Sequence, residues 1–397
     1  MSLLERRLNP AQLPWADDPR TPLGQPVQVC GSATRGRVNG KDVILAGTNN
    51  YLGLTFDPRC IAAAVRAAEH DGTGTTGSRM ANGTYTEHLA LEAELARLYG
   101  LPHALTFTTG YQANLGMIAA LGGSDGILML DAECHASIYD GARLAGCELY
   151  RFRHNDPADL AKRLGRLGAR AADTLVVLEG IYSMRGDQPP LAELCAVARA
   201  AGATILVDEA HSFGVLGATG QGAVESFGVL DQVDFVTGTF SKSLGATGGF
   251  CVSRHNLRYL VPLTRPYIFS ASLTPAVVAS TRVALEIVRT EPALRARLWD
   301  NVTRVHGACV NLGLLRTQCE SPIVAVALGK PEYALDIWHG LMDHGLYVNL
   351  IAPPASPGNY LLLRCSLSAA HTDADVQGII DAFAWLAEAH GVNVFHL

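Results

Sequence analysis

Short apolar runs recur through the middle of the chain, at 104–107, 127–130, 175–178, 204–207, 235–237 and 250–252, each closed by polar or glycine-containing stretches. Longer segments with apolar residues at helical spacing lie between them. Runs this short and this regularly interrupted predict buried strands of a mostly parallel sheet joined by helical crossovers, an α/β arrangement. Such sheets bind ligands beyond the carboxyl ends of their strands. The polar clusters at those ends, 109–111, 131–135, 179–183, 208–211 and 239–242, are therefore expected to converge on one rim.

The pattern changes at both ends of the chain. Pro10, Pro14, Pro22 and Pro26 interrupt the first stretch, which reads as an arm over 1–45 able to pack on a partner subunit. A run rich in Gly, Thr and Ser over 72–83 leads into a capping box from Thr84 to Glu87, with Leu91, Leu95 and Leu98 following at helical spacing. Beyond about residue 285 the spacing predicts a helix over 293–312 and strands over 323–328, 347–351 and 361–366, a smaller α+β domain. The expected division is thus an arm over 1–45, a large domain over 46–285 and a small C-terminal domain over 286–397. The Pro-rich stretch 351–358 is expected to form a mobile element over the site.

Composition narrows the class. With 397 residues, 48% hydrophobic and 17% charged, and 40 glycines, the chain fits a soluble α/β protein rather than a disordered or fibrous one. A formal net charge of -6 and no long Lys/Arg run argue against nucleic acid or an anionic membrane as the main partner. No apolar run reaches the roughly 20 residues of a bilayer span, and the first residues lack an apolar signal core, so a cytoplasmic location is expected. Nine cysteines without a C-x-x-C pair read as reduced thiols, and no metal site is expected.

Lys242 stands among small residues in Thr239-Phe-Ser-Lys-Ser243, downstream of an apolar strand that ends in Asp208-x-x-His211. A lysine so placed can link covalently to the aldehyde of pyridoxal phosphate (PLP), or it can be a solvated loop residue. Its companions favour the first reading. Asp208 at a strand end needs a cationic partner or several donors, which a protonated pyridine nitrogen supplies; capping the next segment is the alternative. His211 can reach the cofactor's phenolic oxygen, and His135 can lie on the ring face or pack in a loop. Gly110 and Tyr111 open a helix whose N-terminal amides can take phosphate, with hydroxyls from Thr239 and Ser241. The Arg364 fork suits an α-carboxylate or a structural ion pair, and Asn50 can help hold that carboxylate or cap a strand.

Together these stretches resemble the α-oxoamine synthase family of fold-type I PLP enzymes, and within it most closely the soluble bacterial serine palmitoyltransferase branch. The similarity runs from Asn50 to Thr372 and includes Gly72 to Arg79, Asn82 to Thr84, Asp131-x-x-x-His135, Glu179 to Met184, Gly186-Asp187, Asp208 to His211, Thr239 to Ser243, Arg265 to Phe269 and Gly345 to Asn349. The resemblance implies a large domain with a mostly parallel seven-stranded sheet plus a small C-terminal α+β domain. It implies that Lys242 carries PLP, Asp208 pairs with the pyridine nitrogen, His211 contacts the phenolic oxygen and His135 stacks on the ring. Gly110, Tyr111, Thr239 and Ser241 would hold phosphate, Ser183 would line the pocket, and Ser270 would reach the neighbouring subunit's cofactor in a homodimer with shared sites. Asn50 and Arg364 would hold the amino-acid carboxylate.

The implied reaction is a decarboxylating condensation of an amino acid, L-serine foremost, with a long-chain acyl thioester on CoA or acyl carrier protein. An α-amino ketone such as 3-ketodihydrosphingosine results, the first step of sphingolipid synthesis. Ala352 departs from the branch, whose bacterial members carry an Arg there that helps engage the substrate carboxylate. Glycine or alanine as the amino acid, a PLP aminotransferase, and a non-catalytic regulator on the same fold are the alternatives. The first 45 residues are too short and too weakly basic for the DNA-binding domain such regulators add.

Overall fold

The structure, a computed structural model, describes residues 2–9, 15, 18–316, 321–329, 331–353, 355–356, 360–391 and 394–395. Its strands, numbered along the chain, are β1 (Val27–Val29), β2 (Arg35–Val38), β3 (Lys41–Leu45), β4 (His103–Phe107), β5 (Ile127–Asp131), β6 (Glu148–Phe152), β7 (Thr174–Glu179), β8 (Thr204–Asp208), β9 (Phe235–Thr239), β10 (Gly249–Ser253), β11 (Ile323–Leu328), β12 (Leu346–Tyr347), β13 (Asn349–Ile351), β14 (Leu361–Ser366) and β15 (Val394–Phe395). Two compact units emerge: residues 49–298 form one, and residues 1–48 with 299–397 form the other.

The unit over 49–298 is built on a seven-stranded sheet in the order β4-β10-β9-β8-β7-β5-β6. Neighbours from β9 to β6 run parallel, while β10 is antiparallel to both β9 and β4. Every residue of β5, β7, β9 and β10 is buried, as expected for strands covered on both faces. The core on one face joins Leu105, Leu128, Leu130, Val177 and Leu206 of the sheet to Met117 and Ile118 of the helix Gly110–Gly122 and Ile138 of the helix Ala136–Ala145.

One strand escapes the hydrophobic pattern. β6 lies at the sheet edge with four of its five residues exposed, so Glu148, Tyr150 and Arg151 are tolerated and no apolar run marks it.

In the other unit, the arm expected over 1–45 is in part a sheet. Strands β1, β2 and β3 pair antiparallel in turn, and β3 takes β12 as a parallel neighbour. Val38, Val43, Ile44 and Leu45 are buried, and this apolar content draws residues 27–45 into the fold despite the prolines upstream. Residues 1, 10–14 and 16–17 of the expected arm lie outside the described residues, as do 354 and 357–358 of the Pro-rich stretch. The second sheet of this unit, β13-β14-β11-β15, is antiparallel throughout. Helix Pro292–Asn311 continues across the boundary at 298, later in the chain than the expected one at 285.

Candidate active site

At the carboxyl ends of β7, β8 and β9 the sheet opens into a cavity of about 210 Å³. Lys242, Asp208, His211, His135, Gly110, Tyr111, Thr239 and Ser241 all line it, so eight residues singled out in the sequence meet in one place.

Lys242 is carried by the hairpin between β9 and the antiparallel β10. Phe240 N–H donates to Gly248 O (3.0 Å), Ala246 N–H to Phe240 O (3.0 Å) and Gly245 N–H to Lys242 O (3.0 Å). The Ser243 hydroxyl adds a bond to Phe213 O (2.6 Å), pinning the hairpin from the side. A lysine on so tightly tied a loop is aimed by the backbone.

Asp208 ends β8 and is buried. Its carboxylate accepts from Asn114 Nδ2 (2.6 Å) and from the backbone N–H of Ala210 (2.9 Å). The Thr237 hydroxyl donates to Asn114 Oδ1 (2.7 Å), which fixes the amide with its NH₂ toward Asp208. The same Nδ2 lies 3.0 Å from Ser137 Oγ. Register puts Thr237 beside Asp208, and Asp208 beside Glu179 on β7. Burial, with Asp208 adding repulsion, pushes the Glu179 carboxyl well above the usual carboxylate range.

Glu179 also anchors the neighbouring turn, because the backbone N–H of His135 donates to its Oε1. His135 in turn caps the helix Ala136–Ala145 by accepting from Ser137 N, and its Nδ1 lies 2.8 Å from Ser137 Oγ. The ring is open to solvent at the cavity, yet the protein packed around it still holds its basicity below the usual histidine value. Asp208 opposes this depression and Lys242 adds to it. His211 is buried, with Nδ1 2.7 Å from the Tyr51 hydroxyl. When Tyr51 donates to Nδ1, Nε2 carries the ring's proton and becomes the donor.

The opposite wall is the start of helix Gly110–Gly122. Thr109 caps it, its hydroxyl accepting from Gln112 N–H (3.0 Å). A Cβ on Gly110 would come within 2.7 Å of Thr239 Cβ, so only glycine lets the helix start approach β9 this closely. Thr239 donates to Gly248 O (2.8 Å), while its oxygen faces Ser241 Oγ (2.9 Å) and accepts from Ser241 N–H (3.2 Å). Thr239 is thus placed to orient Ser241. The Tyr111 side chain is exposed and donates to Asp140, so its backbone amide is the group facing an anion. Helix-start amides, a hydroxyl, a buried carboxylate, two histidines and a lysine match the phosphate, pyridine nitrogen, ring oxygen and aldehyde of PLP.

The remaining expected residues are not among those lining the cavity. Asn50 is buried and donates to Thr55 Oγ1 (2.7 Å). Ser183 is half-buried in the turn after β7, and Ser270 accepts from Gln112 Nε2 (3.0 Å). Arg364 is buried on β14 in the other compact unit, with Nη1 2.8 Å from Ser366 Oγ. Asn114, Thr237, Ser137, Glu179 and Tyr51 belong to the site's hydrogen-bond network without having been assigned a role from the sequence, although Glu179 opens one of the polar clusters expected at the rim. Asn114 had a sequence signal: it is the polar residue within an apolar helical stretch, and it is buried there.

The chain is similar to known proteins over most of its length. The family described as aminotransferase class I and II matches residues 41–383. The serine palmitoyltransferase of Caulobacter vibrioides is 54% identical over 91% of this chain and 90% of its own length. That of Sphingomonas paucimobilis is 50% identical over 91% and 86%. A solved structure of the S. paucimobilis enzyme with a bound PLP–myriocin aldimine superposes with a TM-score of 0.94 at 46% identity, over 99% of this chain and 100% of that one. The chain therefore belongs to the class I and II aminotransferase family, among its α-oxoamine synthases and beside the bacterial serine palmitoyltransferases.

Proposed function

We propose that this protein catalyses a PLP-dependent, decarboxylating condensation of L-serine with a long-chain acyl-CoA of the palmitoyl type, giving 3-ketodihydrosphingosine. The observation that carries this reading is the meeting of Lys242, Asp208, His211 and His135 with the Gly110 helix start in one cavity. PLP, when bound, supplies an electrophilic aldehyde and a ring that accepts the electron pair left at the substrate's α-carbon.

The protein's own groups do the rest. Lys242 holds the cofactor and, once displaced by the amino acid, takes the α-proton and later returns one. Asp208, held by Asn114 and the Ala210 amide, keeps a proton on the pyridine nitrogen. With PLP bound, His211 Nε2 would donate to the ring oxygen and His135 would pack against the ring. Backbone amides at Gly110 and Tyr111 and the Ser241 hydroxyl take the phosphate, with Thr239 orienting Ser241. Ser183, in the turn after β7, would approach the bound cofactor, Asn50 and Arg364 would engage the substrate carboxylate, and Ser270 would act across a homodimer with shared sites. The protein works in the cytoplasm; among the described residues no helix is long and apolar enough to cross a membrane.

Ala352 makes the amino acid the point to test. Product mass spectrometry is run with serine, glycine and alanine, each against palmitoyl-CoA and a palmitoyl carrier protein. Serine with palmitoyl-CoA is expected to give the long-chain amino ketone and carbon dioxide. Product from glycine or alanine alone would move the protein to another α-oxoamine synthase activity. Conversion of the cofactor to its amine form without any thioester would make it an aminotransferase.

A further inference from the structure

Beside the cavity, the exposed edge strand β6 ends at Phe152 and delivers His154 and Asn155 into a cluster of acidic side chains. His154 Nδ1 lies 2.8 Å from Asp131 Oδ1 and Nε2 lies 2.7 Å from Asp187 Oδ2. Carboxylates only accept, so a ring bonded to one at each nitrogen carries two N–H groups and a positive charge. Burial alone would depress its basicity, but the bonds to Asp131 and Asp187 outweigh it and push the pKa up to about 10. Glu133 approaches Nε2 at 3.8 Å and is itself held by Arg185 at 2.6 Å; the Tyr182 ring meets the imidazole edge-on at 4.5 Å.

Asn155 repeats the same bridge. Its backbone N–H donates to Asp131 Oδ2 (2.8 Å) and its Nδ2 to Asp187 Oδ2 (2.7 Å). To do so it adopts a left-handed backbone with φ of 53°, a conformation asparagine tolerates better than most residues. Two consecutive residues thus tie together the same two carboxylates.

Those carboxylates belong to the turns that follow β5 and β7; the first carries His135, and the second follows Glu179, both of which line the cavity. Asp131 closes β5 and accepts from Glu133 N–H (2.9 Å), opening the turn that ends at His135. Asp187 closes the turn after β7: Tyr182 N–H donates to Asp187 O (3.0 Å) and Gly186 N–H to Tyr182 O (2.9 Å), with Ser183 between them.

We propose that His154 is a positioning residue, an imidazolium brace that holds the 131–135 and 180–187 turns together and thereby fixes His135 over the cofactor. The inference rests on the role proposed for His135. A missing brace displaces that ring, and displacements of order 1 Å weaken binding and catalysis substantially.

The test combines His154→Phe and His154→Gln with two readouts on the full-length protein. Hydrogen exchange, which needs no cofactor, is expected to accelerate about ten-fold in peptides covering 131–139 and 180–190, but not over 235–250. PLP affinity is expected to weaken about ten-fold, with loss of the bound cofactor's induced circular dichroism. A folded variant with unchanged exchange overturns the brace; faster exchange with unchanged PLP binding overturns its positioning role. Should both variants fail to fold, Asp187→Asn keeps the acceptor oxygen while removing one charge, and is expected to give the same two effects in weaker form. In wild-type protein labelled with ¹⁵N-histidine, His154 is expected to show two protonated ring nitrogens at pH 8, and a neutral ring would overturn the proposal. Wild-type protein that does not take up PLP would overturn the functional reading, and the exchange data then decide the brace by themselves.

Discussion

The cavity and the brace beside it use the same residue types for opposite purposes. In the cavity, His135 sits near Asp208 and Lys242, open to solvent, and its basicity is lowered. In the brace, His154 is enclosed by Asp131, Asp187 and Glu133, and its basicity is raised to about 10. Proximity to an aspartate does not by itself decide a histidine's charge. What decides it is whether carboxylates bond both ring nitrogens directly or act from a distance against burial and a neighbouring cation. A ring left neutral and exposed is available to a flat ligand, whereas one saturated by carboxylates can only hold structure.

The contrast breaks most sharply at Lys242. Lys242→Ala is expected to lower product formation by roughly 10³-fold or more, with little change in melting temperature. Borohydride reduction followed by peptide mapping should find the cofactor on the wild-type lysine and nowhere in the variant. Asp208→Asn should follow with a loss of roughly 10²-fold in kcat, since the neutral amide no longer keeps a proton on the pyridine nitrogen and the ring becomes a weaker electron acceptor. Steady-state kinetics at saturating PLP would measure it, and a variant with wild-type kcat would remove Asp208 from its proposed role.

Asn114 lies between the two kinds of site, buried like the brace but bonded to Asp208. Asn114→Ala leaves that carboxylate and the Thr237 hydroxyl without this partner, and should destabilise the fold by about 2 kcal/mol in urea denaturation. The smallest effect is expected from pH. His154 has a folded pKa above its unfolded one, so its contribution to stability is complete below about 6.5 and disappears as pH rises toward about 10. His306 and His371, buried in the other unit against the carbonyls of Ser321 and Leu45, have the opposite sign. Both are held down to about 4, so their contribution is complete above about 6.5 and is lost as pH falls toward 4. Melting temperatures of wild type and His154→Gln should therefore differ most below about pH 6.5, with wild type the more stable, converge as pH rises toward about 10, and fall in parallel as pH drops toward 4.

Much of this was legible in the chain. The apolar runs at 127–130, 175–178 and 204–207 became β5, β7 and β8, because strands covered on both faces must be apolar throughout. β6 was not legible: an edge strand with one side in water needs no such run, and its five residues carry none. Residues 27–45 read as an arm because of the prolines upstream, while the other edge of β3, beyond its local partner β2, is covered by β12 from the far end of the chain. Local composition cannot announce so distant a partner.

The sequence by itself determined the family, the α/β class and the identity of the side chains at the strand ends, since those depend on residue type and short-range spacing. Only the tertiary structure decided which of them share the cavity with Lys242, and that Asn114, Tyr51 and Glu179 hold them there. It also decided the charge of each histidine. Charge and hydrogen bonding depend on groups brought within about 3 Å from remote parts of the chain, and no spacing along the sequence encodes that distance.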